Sequence, residues 1–230
     1  MQVEEMSDIK RQVLEKYNDI FVEGKSNEDI QELIRCIGVM LLNSKIIFTD
    51  RKNEKHLIKP LFVEGYLKDD DGKIQYDDCF IHKNKNEQKG DEKKPFRFYL
   101  HYTTCEKRMG LDVAIGTKPN VRFSYLIKVS KCDDECRTRM QSKTGEFIHA
   151  LLDDDKNDHK EAVKFSIRLE NDRINKWNCS QRVLSNKSKK SGIDYKVAVF
   201  NSEAIGLEED SGKLMDKDKI KPQTIYRKYK

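Results

Sequence analysis

Leu61-Phe62-Val63-Glu64-Gly65-Tyr66-Leu67 is an apolar run with a single carboxylate at its centre. Read as a strand, its two-residue period sets Phe62, Glu64 and Tyr66 on one face and Leu61, Val63 and Leu67 on the other. The second face is core. The first holds an acid between two aromatic rings, and an ionised carboxylate among apolar neighbours is costly unless it is paired or put to use. Two readings stay open on the pattern alone. Either Glu64 lies at a sheet edge or pairs with one of the many Lys and Arg residues, or it is a functional acid.

Working outward, Lys45 to Thr49 reads as a strand, and a charged turn around Arg51 to Lys55 connects it to the Glu64 strand that follows Pro60, as a hairpin or two neighbouring strands. Upstream, Ser26 precedes Asp29 by three residues in a capping-box arrangement. Ile30, Leu33, Ile34, Ile37, Met40 and Leu41 then form one apolar stripe, a helix packed on a sheet. Ile9, Val13, Leu14 and Tyr17 mark an earlier amphipathic helix from about Asp8 to Tyr17.

Downstream, Lys68 to Lys94 is almost wholly polar, a long loop that includes Asp69, Asp70 and Asp71. The cluster lacks the remaining ligands of a calcium loop and reads as a solvated turn. Phe96 to Thr103 alternates Phe96, Phe98, Leu100 and Tyr102 against Arg97, Tyr99, His101 and Thr103. Met109 to Gly116 sets Asp112 opposite Leu111, Val113 and Ile115. Val121 to Val129 puts Lys128 on the side of Arg122, Ser124 and Leu126. Three successive strands thus carry polar groups on one face, as a sheet does when it lines a pocket. Cys132 and Cys136 read as free thiols in a charged turn, because no second close Cys or His pair accompanies them. Thr144 to Leu152 is helical by period, Lys164 to Leu169 is a less polar run, Tyr195 to Phe200 is strand-like, and the tail beyond Asp210 is rich in lysine.

The expected fold is α+β: a curved mixed or antiparallel sheet over 45–130 with the N-terminal helices packed against it. One domain spans 1–210 and a loosely ordered tail spans 211–230. The charged fraction equals the hydrophobic one at 37%, which implies a heavily solvated surface. Basic and acidic residues, 45 against 40, are interspersed, which permits a local patch for nucleic acid without requiring one. No apolar stretch reaches the length of a bilayer span, and Glu4, Glu5 and Asp8 stand where a secretory signal would be basic and then apolar. The expectation is therefore an intracellular protein with reduced thiols and no membrane partner. There is no phosphate-cradling glycine loop, no serine elbow and no zinc-protease helix, and no metal or cofactor is expected.

Taken as an ordered set, these segments resemble the methylpurine-DNA glycosylase (alkyladenine glycosylase) family. Val39-Met40-Leu41-Leu42 is similar to the family's Ala-Arg-x-Leu-Leu helix, and Phe62 to Leu67 to its Val-Glu-x-Glu-Ala-Tyr-Leu strand. Phe98-Tyr99-Leu100-His101-Tyr102 sits at its Tyr-Val-Tyr-x-x-Tyr-Gly run, Gly110 to Ile115 at its Leu-Asn-Val strand, and Tyr125 to Lys128 at its Leu-Leu-Arg-Ala strand. The order holds over about 36–130. Asp112 replaces asparagine, Lys128 replaces arginine, and the Thr-Pro-Arg-Asn loop and Pro-Trp-Arg-Phe ending are absent.

The resemblance implies a monomeric, cytoplasmic or nuclear DNA glycosylase. Such an enzyme flips a damaged base from the stack and hydrolyses its N-glycosidic bond without a metal. It places the water-activating role on Glu64, stacking or hydrogen bonding to the base on Tyr66, Tyr99 and His101, and the pocket wall on Asp112 and Lys128. The alternatives are a non-catalytic nucleic-acid-binding relative and a protein-interaction module.

Overall fold

The computed structural model describes residues 8–50, 52–74, 89–101, 110–133, 139–151, 164–169, 177–181, 203–207 and 227–228; at 99, 101, 140, 149 and from 164 onward the description is of the backbone. The fold is α+β, and every strand pairing among the described residues is antiparallel.

Helix α1 (Asp8–Asp19) buries Ile9, Val13 and Tyr17, and α2 (Asn27–Leu42) buries Ile30, Ile34, Ile37 and Leu41, the spacing its sequence prescribed. The capping box forms in full. Ser26 Oγ accepts the Asp29 N–H at 3.1 Å, and the Asp29 carboxylate accepts the Ser26 N–H at 2.9 Å. The bond from the Ser26 backbone, together with that from its side chain, holds the Asp29 carboxyl below its ordinary range.

The sheet is built around one long strand. β1 (Ser44–Thr49) and β2 (Lys55–Asp69) form the expected antiparallel pair, with Ile46 opposite Ile58. On its other side β2 pairs with β5 (Val121–Cys132), and β5 continues to β4 (Gly110–Ile115) and then β3 (Phe96–His101). Short β6 (Arg139–Met140) adds to β5 and leads into α3 (Gln141–Leu151). Chain from far downstream completes the sheet. β7 (Lys164–Leu169) lies on β1, and β9 (Glu203–Leu207) lies beside Phe62–Gly65 of β2. Beyond β9 come β8 (Trp177–Gln181) and β10 (Arg227–Lys228), so two residues of the lysine-rich tail are paired.

β2 begins before Pro60 instead of after it. Proline has no N–H to give a ladder and is confined within sheets to edges and bulges. Pro60 opposes Ser130, Phe62 opposes Val129 and Val63 opposes Ile127, so Leu61 on β2 and Lys128 on β5 are each an extra residue. The two bulges absorb the proline and increase the local twist, which curls the sheet beside Glu64.

The face carrying Val63, Leu67, Leu111, Val113, Ile115, Phe123, Tyr125 and Ile127 meets the helices and forms the core. Phe96, Phe98 and Leu100 join it from β3, as their alternation required. Each fully buried side chain of this core, Val63 or Phe123 for example, contributes about 1.5–3 kcal/mol of transfer free energy, and the partly buried β3 residues less. Gly65 marks where α2 presses on the sheet: a Cβ there would lie 2.8 Å from the Tyr125 ring and 3.0 Å from Ile34. The Tyr125 hydroxyl donates to the Ile34 carbonyl at 2.5 Å.

Two local readings are corrected. Asp69 is not a solvated turn residue but is buried at 8% exposure, because its carboxylate accepts the N–H groups of Asp71, Lys73 and Ile74 and closes the turn. Asp70 pairs with Arg122 at 2.8 Å. Cys132 is not in a charged turn but at the buried end of β5, against Ser130 at 3.7 Å. Cys136, Asp77, Asp78 and Tyr195 to Phe200 lie outside the described residues.

Candidate functional site

The second face of the sheet is also buried around Glu64, yet it is polar. Phe62, Glu64 and Tyr66 of β2 are 8%, 9% and 7% exposed, and Asp112 and Ser124 are buried with them. Register explains the grouping, since directly opposed residues share a face. Glu64 opposes Leu126, Leu126 opposes Asp112, and Asp112 opposes Tyr99, so one row crosses four strands. The next row runs Tyr66, Ser124, Ala114, Arg97, and beyond it Lys68 opposes Arg122.

Within that frame the Tyr66 hydroxyl donates to Glu64 Oε2 at 2.6 Å, and Lys128 Nζ stands 3.6 Å from the same oxygen. Tyr66 reaches Glu64 because residues two apart on a strand point the same way. Lys128 reaches it from β5 at the bulge. The carboxylate is therefore oriented by a phenol and a cation, and Lys128, with 28% of its side chain exposed, is the more accessible of that pair. Basic residues in the neighbouring rows, Lys68, Arg97 and Arg122, lie toward one end of the same face.

Of the six residues singled out in the sequence, Glu64, Tyr66 and Lys128 are in contact, and Asp112 shares their face two strands away from Glu64. The backbones of Tyr99 and His101 occupy β3 opposite Asp112 and Gly110, while their side chains lie outside the described residues. A cavity of about 900 Å3 opens elsewhere, between the α1–α2 connection and residues Thr117 to Val121, and none of the six lines it. Its wall is mostly connecting chain, whereas the convergence of acid, phenol and cation is at Glu64.

Sequence reading missed one further constellation. At the far end of β2, His56 bridges two carboxylates: Nε2 lies 3.2 Å from Asp50 Oδ2 and Nδ1 lies 3.2 Å from Asp133 Oδ2. Its ring stacks on Phe48 at 5.0 Å. Burial opposes a charge on His56, but the bonds to Asp133 and Asp50 outweigh it and raise its pKa above the ordinary 6.5. Burial likewise opposes ionisation of Asp50, and the bonds it accepts from Glu54, His56 and Lys52 outweigh that, holding it below 3.8.

The raised His56 value means that its stabilisation is complete below 6.5 and is lost as pH rises through the folded pKa; that of Asp50 is present above 3.8 and lost as pH falls. Thermal unfolding in buffer with EDTA is expected to show a melting temperature that declines as pH rises past 6.5, with the decline reduced in His56→Gln. Equal slopes for the two proteins would contradict the pairing.

No helix among the described residues is long and apolar enough to cross a membrane. Comparison with protein-family models and with curated proteins gives no match.

Proposed function

We propose that this protein is a DNA glycosylase-like hydrolase that binds DNA on the polar face of its curled sheet and removes a damaged or modified base. The observation that carries the reading is the Glu64 carboxylate, buried on that face and oriented by Tyr66 at 2.6 Å and Lys128 at 3.6 Å. The resemblance to the methylpurine-DNA glycosylase family, with Lys128 in place of arginine, supplies the roles given to these residues.

In this reading Glu64 accepts a proton from a water, the water oxygen bonds to the sugar carbon, and the N-glycosidic bond breaks with its electron pair leaving on the base. A positioned base of this kind contributes about 10²–10⁴-fold. The target must leave the stack to reach a carboxylate so enclosed. Tyr66 fixes Glu64 through its hydroxyl and is the residue assigned to stack on the extruded base. Asp112 and the β3 positions of Tyr99 and His101 form the adjoining wall. Lys68 and Arg97 of the neighbouring rows are the cations of this face placed to meet phosphates, Arg122 being buried and paired with Asp70. The protein acts as a monomer in the compartment that holds the DNA.

The Lys128–Glu64 ion pair equally suits a relative that reads lesions without hydrolysis, because structural pairs are held by the same geometry. Binding and release measured together separate the readings. Affinity for lesion-bearing DNA that falls steeply with salt and is accompanied by free base supports the hydrolase. Binding without release selects the reader, and no binding at low salt excludes both.

A further inference from the structure

We propose that Asp50, Glu54 and His56 form a binding site for a divalent first-row transition metal, zinc in the first instance, separate from the Glu64 face. One donor atom from each residue lies within 4.8 Å of the other two. The closest pair, His56 Nε2 and Asp50 Oδ2, is 3.2 Å apart. Two ligands of a tetrahedral zinc at about 2.0–2.1 Å from the ion are separated by roughly 3.3 Å, so this pair already stands at ligand spacing.

Each donor is set by its surroundings. Asp50, with 4% of its side chain exposed, has Oδ1 occupied by the N–H groups of Lys52 and Glu54 at 2.8 Å each, which turns Oδ2 toward His56. The turn that carries Glu54 back to this point is closed by Asn53 at φ 64. His56 is fixed by the Phe48 ring and by Asp133 on Nδ1. A carboxylate on the non-ligating nitrogen is the outer partner that metal-binding histidines use, since it selects the tautomer and aims Nε2. Asp133 is itself fixed, its Oδ1 accepting the Leu57 N–H at 2.7 Å. The exposed Glu54 side chain supplies the third ligand, and water completes the coordination.

Binding replaces the Nε2 proton shared with Asp50 by the ion and releases that proton to solvent. A mixed nitrogen and oxygen set of three protein donors suits zinc or cobalt, whereas calcium takes six to eight oxygens and magnesium an octahedral shell. The bound ion ties the β1–β2 turn to the end of β5 through Asp133.

The test is titration of the reduced full-length protein with Co2+, read by absorption, and with Zn2+, read by calorimetry. One equivalent is expected to bind, with visible cobalt bands and no thiolate charge-transfer band. Glu54→Gln and Asp133→Asn are each expected to weaken binding by about 10- to 100-fold. Because Glu54 is exposed, Glu54→Gln keeps the test readable even if His56→Ala fails to fold. The absence of saturable binding, a thiolate band assigning the metal to cysteines, or an affinity unchanged in Glu54→Gln would each overturn the site.

Discussion

Glu64→Gln is expected to lower base release from damaged DNA by about 10²–10⁴-fold, with the melting temperature and DNA affinity close to those of the unaltered protein. Glutamine keeps the length of the side chain and an oxygen for the Tyr66 hydroxyl, so the 2.6 Å bond survives the change. What is lost is the carboxylate that takes a proton from water. The pair with Lys128 joins a buried acid to a lysine with 28% of its side chain exposed, so in Glu64→Gln the cation can turn to solvent, and unfolding is measured beside release. Release measured per folded molecule therefore reports the chemistry. Unchanged release would remove Glu64 from the mechanism.

Gly116→Ala carries the largest expected effect on folding. Gly116 follows β4 at φ 124, a conformation L side chains rarely adopt, and a Cβ there would collide with the ring and hydroxyl of Tyr17. Tyr17 has no room to yield. It is fully buried, stacked on Phe123 at 5.8 Å and edge-on to Phe21 at 5.1 Å, and burial pushes its phenol up to about 12. Backbone strain of about 1–3 kcal/mol and overpacking of about 1–3 kcal/mol together predict a loss near 4 kcal/mol. Chemical denaturation measures it; a loss below about 1 kcal/mol would mean that α1 does not pack on the β4–β5 connection in this way.

The parts of the fold legible in the sequence are those governed by local period. The capping box at Ser26, the stripe from Ile30 to Leu41, and the inward set of Phe96, Phe98 and Leu100 each depend on neighbours within a few residues. The same holds for the placement of Phe62, Glu64 and Tyr66 on one face of β2, whereas Asp112 joins them only through the register across β5. Long-range pairing was not legible. Nothing near Phe62 announces that Gly206 lies beside it, and nothing near His56 announces Asp133, 77 positions away. Pro60 reads as a strand boundary in the sequence because the bulges that accommodate it depend on the register with β5. Asp69 reads as solvated in the sequence because three backbone N–H groups gather around it only once the turn closes.

The central claim, that Glu64 serves as a hydrolytic base toward a base extruded from DNA, is tested most directly by chromatography of free bases. The full chain is incubated with duplex and single-stranded DNA carrying alkylated or deaminated bases. The expected result is release of at least one modified base by the unaltered protein and its near-complete loss in Glu64→Gln. Release from no substrate, or equal release by both proteins, would contradict it.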